Sequence, residues 1–264
     1  DTLLIGWYLG AREVGLYDKA YQLLLIPLLQ VEIPLAGFAL SILSRARRNT
    51  EEYRNQYMRI VLSVASIGMG IIAFLFVEAE KAILIIVGPQ WLSSVSIFRA
   101  LAMAGFVDTF LLTLGWVFVS LGEAARLFRL SLAVTLITLT GFVVGLPFGV
   151  LGVALAYSIC RVGLTFPMMM YVSRHSPVCM GDFLRTLMKP AIASVVAAAG
   201  LALFAGFGNI VENRLIDLTI HGLLFLFLYC SIWLIIPGGR RSLVEILRLL
   251  RTVLKGAQDS IPDA

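Results

Sequence analysis

Charge is what this sequence has least of. Only 14% of its 264 residues are charged, where a soluble domain carries about 25%, and those few are crowded between long apolar runs. A soluble core built this way could not clothe itself in polar surface, so a water-soluble globule is excluded. Histidine is nearly absent, limited to His175 and His221. The three cysteines, Cys160, Cys179 and Cys230, are scattered and form no C-x-x-C. Neither a metal centre, a disulfide framework nor any other cofactor is expected.

What is present is a series of apolar stretches, each long enough to cross a bilayer, for which a helix needs roughly 20 residues. The pattern predicts a truncated helix at 2–10 and full spans at about 17–43, 54–77, 92–120, 126–146, 150–173, 187–206 and 215–236. The fold class is therefore all-α, a polytopic membrane helix bundle. Segment 240–256 differs. Leu243, Ile246, Leu247, Leu250, Val253 and Leu254 recur at helical steps opposite Arg241, Glu245, Arg248, Arg251 and Lys255, the pattern of a helix lying on a membrane surface. The opening "DTLLIGWYLG" is too short to span and lacks a basic flank, so it is no signal peptide. An N-terminal part of a larger protein is expected to precede it.

The net charge of +5 needs no nucleic-acid partner, because cytoplasmic loops of membrane proteins collect Lys and Arg. Fifteen basic residues fall at one set of span ends, from Arg45 through Arg126 and Arg174 to Arg240 and the tail. Four fall at the other: Arg12, Lys19, Lys81 and Arg214. The first side, with the C-terminus, is expected to be cytoplasmic. Small-x-x-x-small pairs at Ser66/Gly70 and Gly152/Ala156 mark close helix approaches.

A few charges are stranded inside spans, and these are the candidate functional residues. Glu32, Asp108 and Arg161 lie near mid-depth, where a charge costs at least ~2.5–3.5 kcal/mol unless it faces a bundle interior or a watery cavity. Arg161 can offer a forked guanidinium to phosphate or acidic sugars, or it can pair structurally with Glu32 or Asp108. Arg99 lies shallower, either a substrate contact or a side chain snorkelling to headgroups. Pro27 and Pro34 bracket Glu32 and suit a hinge, although proline is also common in spans without that role. Tyr17, Tyr21 and Trp116 could stack on sugars, with interfacial anchoring the plainer role for the tyrosines. The predicted outer loops 146–150 and 207–214 are short and carry no paired carboxylates or DxD-like site, so an enzyme is not expected.

Three local patterns, in this order, resemble the polysaccharide flippases of the multidrug/oligosaccharidyl-lipid/polysaccharide exporter superfamily. They are "DTLLIGWYLGAREVGLYDKAYQLLLIPLL", similar to that family's Asp-x-x-Ile-Gly-x-x-Leu-Gly helix end and Gly-x-Tyr-x-x-Ala; "IIVGPQWLSSVSIFRALA", similar to its Gly-x-x-Trp turn; and "LPFGVLGVALAYSI", similar to its Leu-Pro-x-Gly-x-x-Gly turn and helix. The resemblance implies a MATE-like fold of fourteen helices. Residues 1–173 would be its C-terminal six-helix lobe with the first helix truncated, 174–239 two additional transmembrane helices, and 240–264 a cytoplasmic amphipathic helix and tail. It implies a partner lobe that is missing here. It also implies an activity: flipping an undecaprenyl-pyrophosphate-linked oligosaccharide, as in O-antigen and lipopolysaccharide assembly, across the inner membrane by alternating access. Acidic residues on the equivalents of helices seven and ten bind the coupling cation in multidrug relatives, which draws attention to Asp1 and Asp108. A cation-coupled multidrug exporter and an integral membrane enzyme of polysaccharide assembly remain the alternatives.

Overall fold

The computed structural model describes residues 2–206, 213–240 and 242–244, and it is built of helices. They are α1 (Thr2–Leu9), α2 (Ala11–Ala46), α3 (Thr50–Val77), α4 (Ala79–Ala82), α5 (Ser94–Leu111), α6 (Thr113–Leu121), α7 (Ala124–Gly145), α8 (Gly149–His175), α9 (Met180–Ala205) and α10 (Arg214–Ile235). Among the described residues, six helical stretches are long and apolar enough to cross a membrane. One of these, residues 124–175, contains two crossings. A 3-10 turn at Leu146–Phe148 and Gly149 at φ +74° reverse the chain there, and α8 folds back along α7.

The centre of the bundle is α5, which packs on α2, α3 and α8. Of the most apolar stretch in α5 and α6, 67% is buried, against 17% in α10, so α10 lies at the periphery. It runs along α9, which itself lies along α3. Helices in lipid gain little from apolar burial against one another and depend on close packing and hydrogen bonds. The contacts follow that rule. A Cβ on Gly145 would come within 2.8 Å of the Gly152 carbonyl oxygen, and one on Gly68 within 2.9 Å of Thr109 Cβ. Buried hydroxyls find partners across helices: Tyr53 with Ser120 at 2.7 Å, Tyr57 with Thr113 at 3.1 Å, and Ser158 donating to the Ala100 carbonyl at 2.6 Å. The Ser66/Gly70 pair on α3 seats Tyr229 of α10, whose hydroxyl donates to the Ser66 carbonyl at 2.7 Å.

Three expectations differ in detail. The span at 92–120 is two helices with a break at Leu112. No proline explains the break; instead Thr109 and Thr113 bond back to the carbonyls of Phe106 and Phe110, which competes with the regular helix ladder. The span at 187–206 begins earlier, at Met180, where Asp182 caps the Cys179 backbone and pairs with Arg54 of α3. The span at 17–43 begins earlier, at Ala11, separated from α1 by Gly10 alone. Between α3 and α5 lie α4, a π turn at Ile83–Val87 and a 3-10 turn at Pro89–Trp91. The amphipathic segment 240–256 lies outside the described residues except for 240 and 242–244.

Candidate functional site

The polar centre forms where α5 and α8 cross. Arg161 and Tyr157 lie one turn apart on α8 and face Asp108 on α5. Arg161 Nε donates to Asp108 Oδ1 at 2.6 Å, its Nη2 reaches the same oxygen, and the Tyr157 hydroxyl donates to Oδ2 at 3.1 Å. Both carboxylate oxygens are thus engaged. Only 13% of the Arg161 side chain and 11% of the Asp108 side chain is exposed. Tyr157 stacks on Phe142 of α7 at 5.7 Å, and on the other side Tyr21 of α2 comes next to it. Tyr21 in turn stacks on Tyr17 at 6.0 Å. Four helices therefore contribute to one buried cluster with balanced charge.

Of the two carboxylates weighed as partners for Arg161, the structure brings Asp108 and leaves Glu32 apart. Glu32 sits on the same stripe of α2 as the buried Leu24, Leu28, Leu35 and Ala39, yet it is itself only half-buried. It makes no ion pair among the described residues. Pro27 and Pro34 lie within α2, which continues unbroken through both. Pro27 also lines a cavity of about 520 Å³ together with Lys19, Gln22 and Trp91. Arg99 is exposed, and its Nε donates to the Phe76 carbonyl at 3.4 Å. Asp1 lies outside the described residues. Tyr17, expected at the interface, is instead 1% exposed, and Trp116 is buried in the core.

A second polar cluster escaped the sequence reading. At the far end of α3, Glu78 and Lys81 meet Asp217 and His221 of α10. Lys81 Nζ contacts Asp217, lies 3.2 Å from Glu78 and 3.1 Å from His221 Nδ1, and His221 Nδ1 lies 2.8 Å from Glu78. Burial disfavours the charge on Lys81, but hydrogen bonds to Asp217 and Glu78 outweigh it and raise its pKa above the ordinary lysine value. The signal was the i, i+4 spacing of Asp217 and His221, which continues through Phe225 to Tyr229 and Trp233 as one stripe. Among the described residues, no cluster of acidic, histidine and cysteine side chains is shaped to hold a metal ion.

Comparisons with known proteins agree with this architecture. A family model described as "Polysaccharide biosynthesis protein" matches residues 1–96. The teichuronic acid biosynthesis protein TuaB of Bacillus subtilis (strain 168) is 25% identical over 259 residues, covering 94% of this chain and 51% of its own length. Among solved structures, the lipid II flippase MurJ in an inward closed conformation superposes with a TM-score of 0.69 at 16% identity, over 83% of this chain and 46% of that one. The chain thus spans about half the length of these relatives. In sequence it is similar to a polysaccharide biosynthesis protein, and in fold it is a multi-pass helix bundle that superposes on about half of a solved lipid II flippase.

Proposed function

We propose that the chain is part of a transporter that flips a lipid-linked oligosaccharide, carried on undecaprenyl pyrophosphate, across a bacterial inner membrane by alternating access. In this reading it performs no bond chemistry and works with a partner lobe of the same protein. One joint observation carries the reading: a chain similar in sequence to polysaccharide biosynthesis proteins folds like half of a lipid flippase. The charge asymmetry supports an orientation with the Arg45–Arg59 loop and the C-terminus in the cytoplasm.

Within that reading, Arg161 holds the α5–α8 crossing as the counter-ion of Asp108 and is not a direct ligand of the headgroup, since its fork is spent on a carboxylate. Glu32, half-buried between Pro27 and Pro34, is the better placed acid for cation coupling, and the two prolines mark where α2 would bend. The test uses the full-length protein in cells lacking their own copy. Loss of the protein should leave the lipid-linked oligosaccharide complete but confined to the cytoplasmic leaflet, measured by its inaccessibility to an added periplasmic glycosidase. A failure to assemble the oligosaccharide at all would point to an enzyme and overturn the reading. Glu32→Gln should lower export per molecule at unchanged abundance; unchanged export would remove Glu32 from the coupling.

A further inference from the structure

Basic residues gather at one set of span ends, and three of them meet in one place. Arg59 of α3 and Arg185 and Lys189 of α9 line a cavity of about 820 Å³, with Ile236 and Pro237 at the end of α10 on its third side. None of its described lining residues is acidic. Asp182, a turn before Arg185, is held by Arg54. Lys189 lacks an acceptor of its own. It is half-buried, and it makes no hydrogen bond or ion pair among the described residues. Its Nζ reaches across to the turn that follows α10, where a Cβ on Gly238 would come within 3.3 Å of it. The Gly238 carbonyl is taken by the N–H and hydroxyl of Ser242, at 3.2 and 3.3 Å. An ammonium partly withdrawn from water with no acceptor is costly, and an anion brought into the cavity relieves that cost.

The depth of the cavity says which anion. From Ile60 to Val77 on α3, from Pro190 to Ala205 on α9 and from Gly222 to Ile235 on α10 the sequence carries no charge. All three walls therefore pass from polar to apolar at the level of the cavity, which is where the phosphates of a bilayer lie. One turn deeper than the cations the wall is Leu62 and Ile192, a lining suited to the first methylenes of acyl chains.

We infer that this cavity binds an anionic phospholipid of the bilayer, its phosphate held by Arg185 and Lys189 and its chains running inward past Leu62 and Ile192. Arg185 supplies a fork that matches phosphate oxygens, and Lys189 a point charge. A basic pocket between spans at the membrane surface is suited to this role. Arg59 forms the facing wall, and the site rests on the two cations of α9. The bound lipid joins α9 and the end of α10 to α3. The inference depends on the chain crossing a membrane and not on what the protein transports.

Native mass spectrometry of the full-length protein, titrated in mild detergent with dioleoylphosphatidylglycerol or dioleoylphosphatidylcholine, tests this. One phosphatidylglycerol should bind more tightly than the zwitterionic lipid. Lys189→Gln and Arg185→Gln should each weaken its binding by about fivefold, and together by about 25-fold. Arg45→Gln with Arg48→Gln removes two exposed charges from the same end of the bundle, outside the cavity, and should leave binding unchanged. Unchanged binding in the Lys189 and Arg185 variants overturns the proposal. Equal weakening in the Arg45 and Arg48 control would mean a diffuse basic surface and overturns it too. So does equal affinity for the two lipids, the result expected if an acidic group of the protein filled the cavity. Displacement of the lipid by inorganic phosphate at equal concentration would assign the site to a soluble anion, and likewise overturns it. Should Lys189→Gln fail to accumulate, Arg185→Gln, at an exposed position, alone decides between these outcomes.

Discussion

The two buried polar clusters solve the same problem in different ways. At the α5–α8 crossing one carboxylate meets one guanidinium, both carboxylate oxygens are bonded, and the charge is balanced. At the junction of α3, α4 and α10 two carboxylates meet one ammonium, and a histidine stands by with one nitrogen that has no partner among the described residues. The first cluster is knitted into the most buried part of the bundle. The second holds a peripheral helix by one end. The pair in the packed crossing ties together four helices, whereas the cluster at the edge ties only one end of α10 to the end of α3. The difference is between a central joint and a peripheral one.

Breaking the central joint should produce the largest effect. Arg161→Ala leaves Asp108 buried with only the Tyr157 hydroxyl, and loss of one partner of a buried pair costs about 3–5 kcal/mol. Thermal unfolding in detergent and cellular abundance should both fall sharply. Pairing Arg161→Met with Asp108→Asn should recover most of the loss. An Arg161→Ala protein of normal stability whose export alone is abolished would instead make Arg161 a substrate ligand, contrary to the counter-ion role.

The peripheral joint should give way more gently. Lys81→Met leaves two buried carboxylates without their ammonium, but Lys81 is one-fifth exposed, so water reaches the site. We expect a loss of about 2–3 kcal/mol, confined to α10. Limited proteolysis should then cut between α9 and α10 before any site in α3 or α5. Equal protease resistance of all three helices in Lys81→Met would erase the distinction between the two joints.

Packing should show the same contrast on a smaller scale. A methyl group at Gly145 would press on backbone atoms of Gly152 and Val153, both within 2.8 Å, which cannot move aside. Gly145→Ala should cost about 1–3 kcal/mol by unfolding in detergent. At Gly222 of α10 the nearest atom would be Phe74 Cζ at 3.7 Å, an ordinary contact. Gly222→Ala should change stability by less than about 0.5 kcal/mol. A cost at Gly222 equal to that at Gly145 would mean that α10 is packed as tightly as α7 and α8.

Much of the fold could be read from residues alone, and the reasons are local. Whether 20 residues in a row are apolar depends on nothing outside the run, so every full span was found to within a few residues at most ends. The break at Leu112 was missed because it depends on which carbonyls Thr109 and Thr113 choose to accept their protons. The 180–186 start of α9 was missed because it is polar and is held in place by Arg54, more than a hundred positions earlier.

The candidate site divides along the same line. Hydropathy by itself determined that Glu32, Asp108 and Arg161 are costly where they stand, since the expense of a charge at depth is a property of the span that carries it. Only the tertiary structure decided that Arg161 belongs to Asp108 and not to Glu32. It also decided that Glu78 and Lys81, which look like an ordinary span end, meet Asp217 and His221. Pairing depends on how each helix is rotated and which neighbour it crosses. Those are set by glycines, hydroxyls and aromatic rings acting between segments far apart in the chain, and no single stretch of sequence contains them.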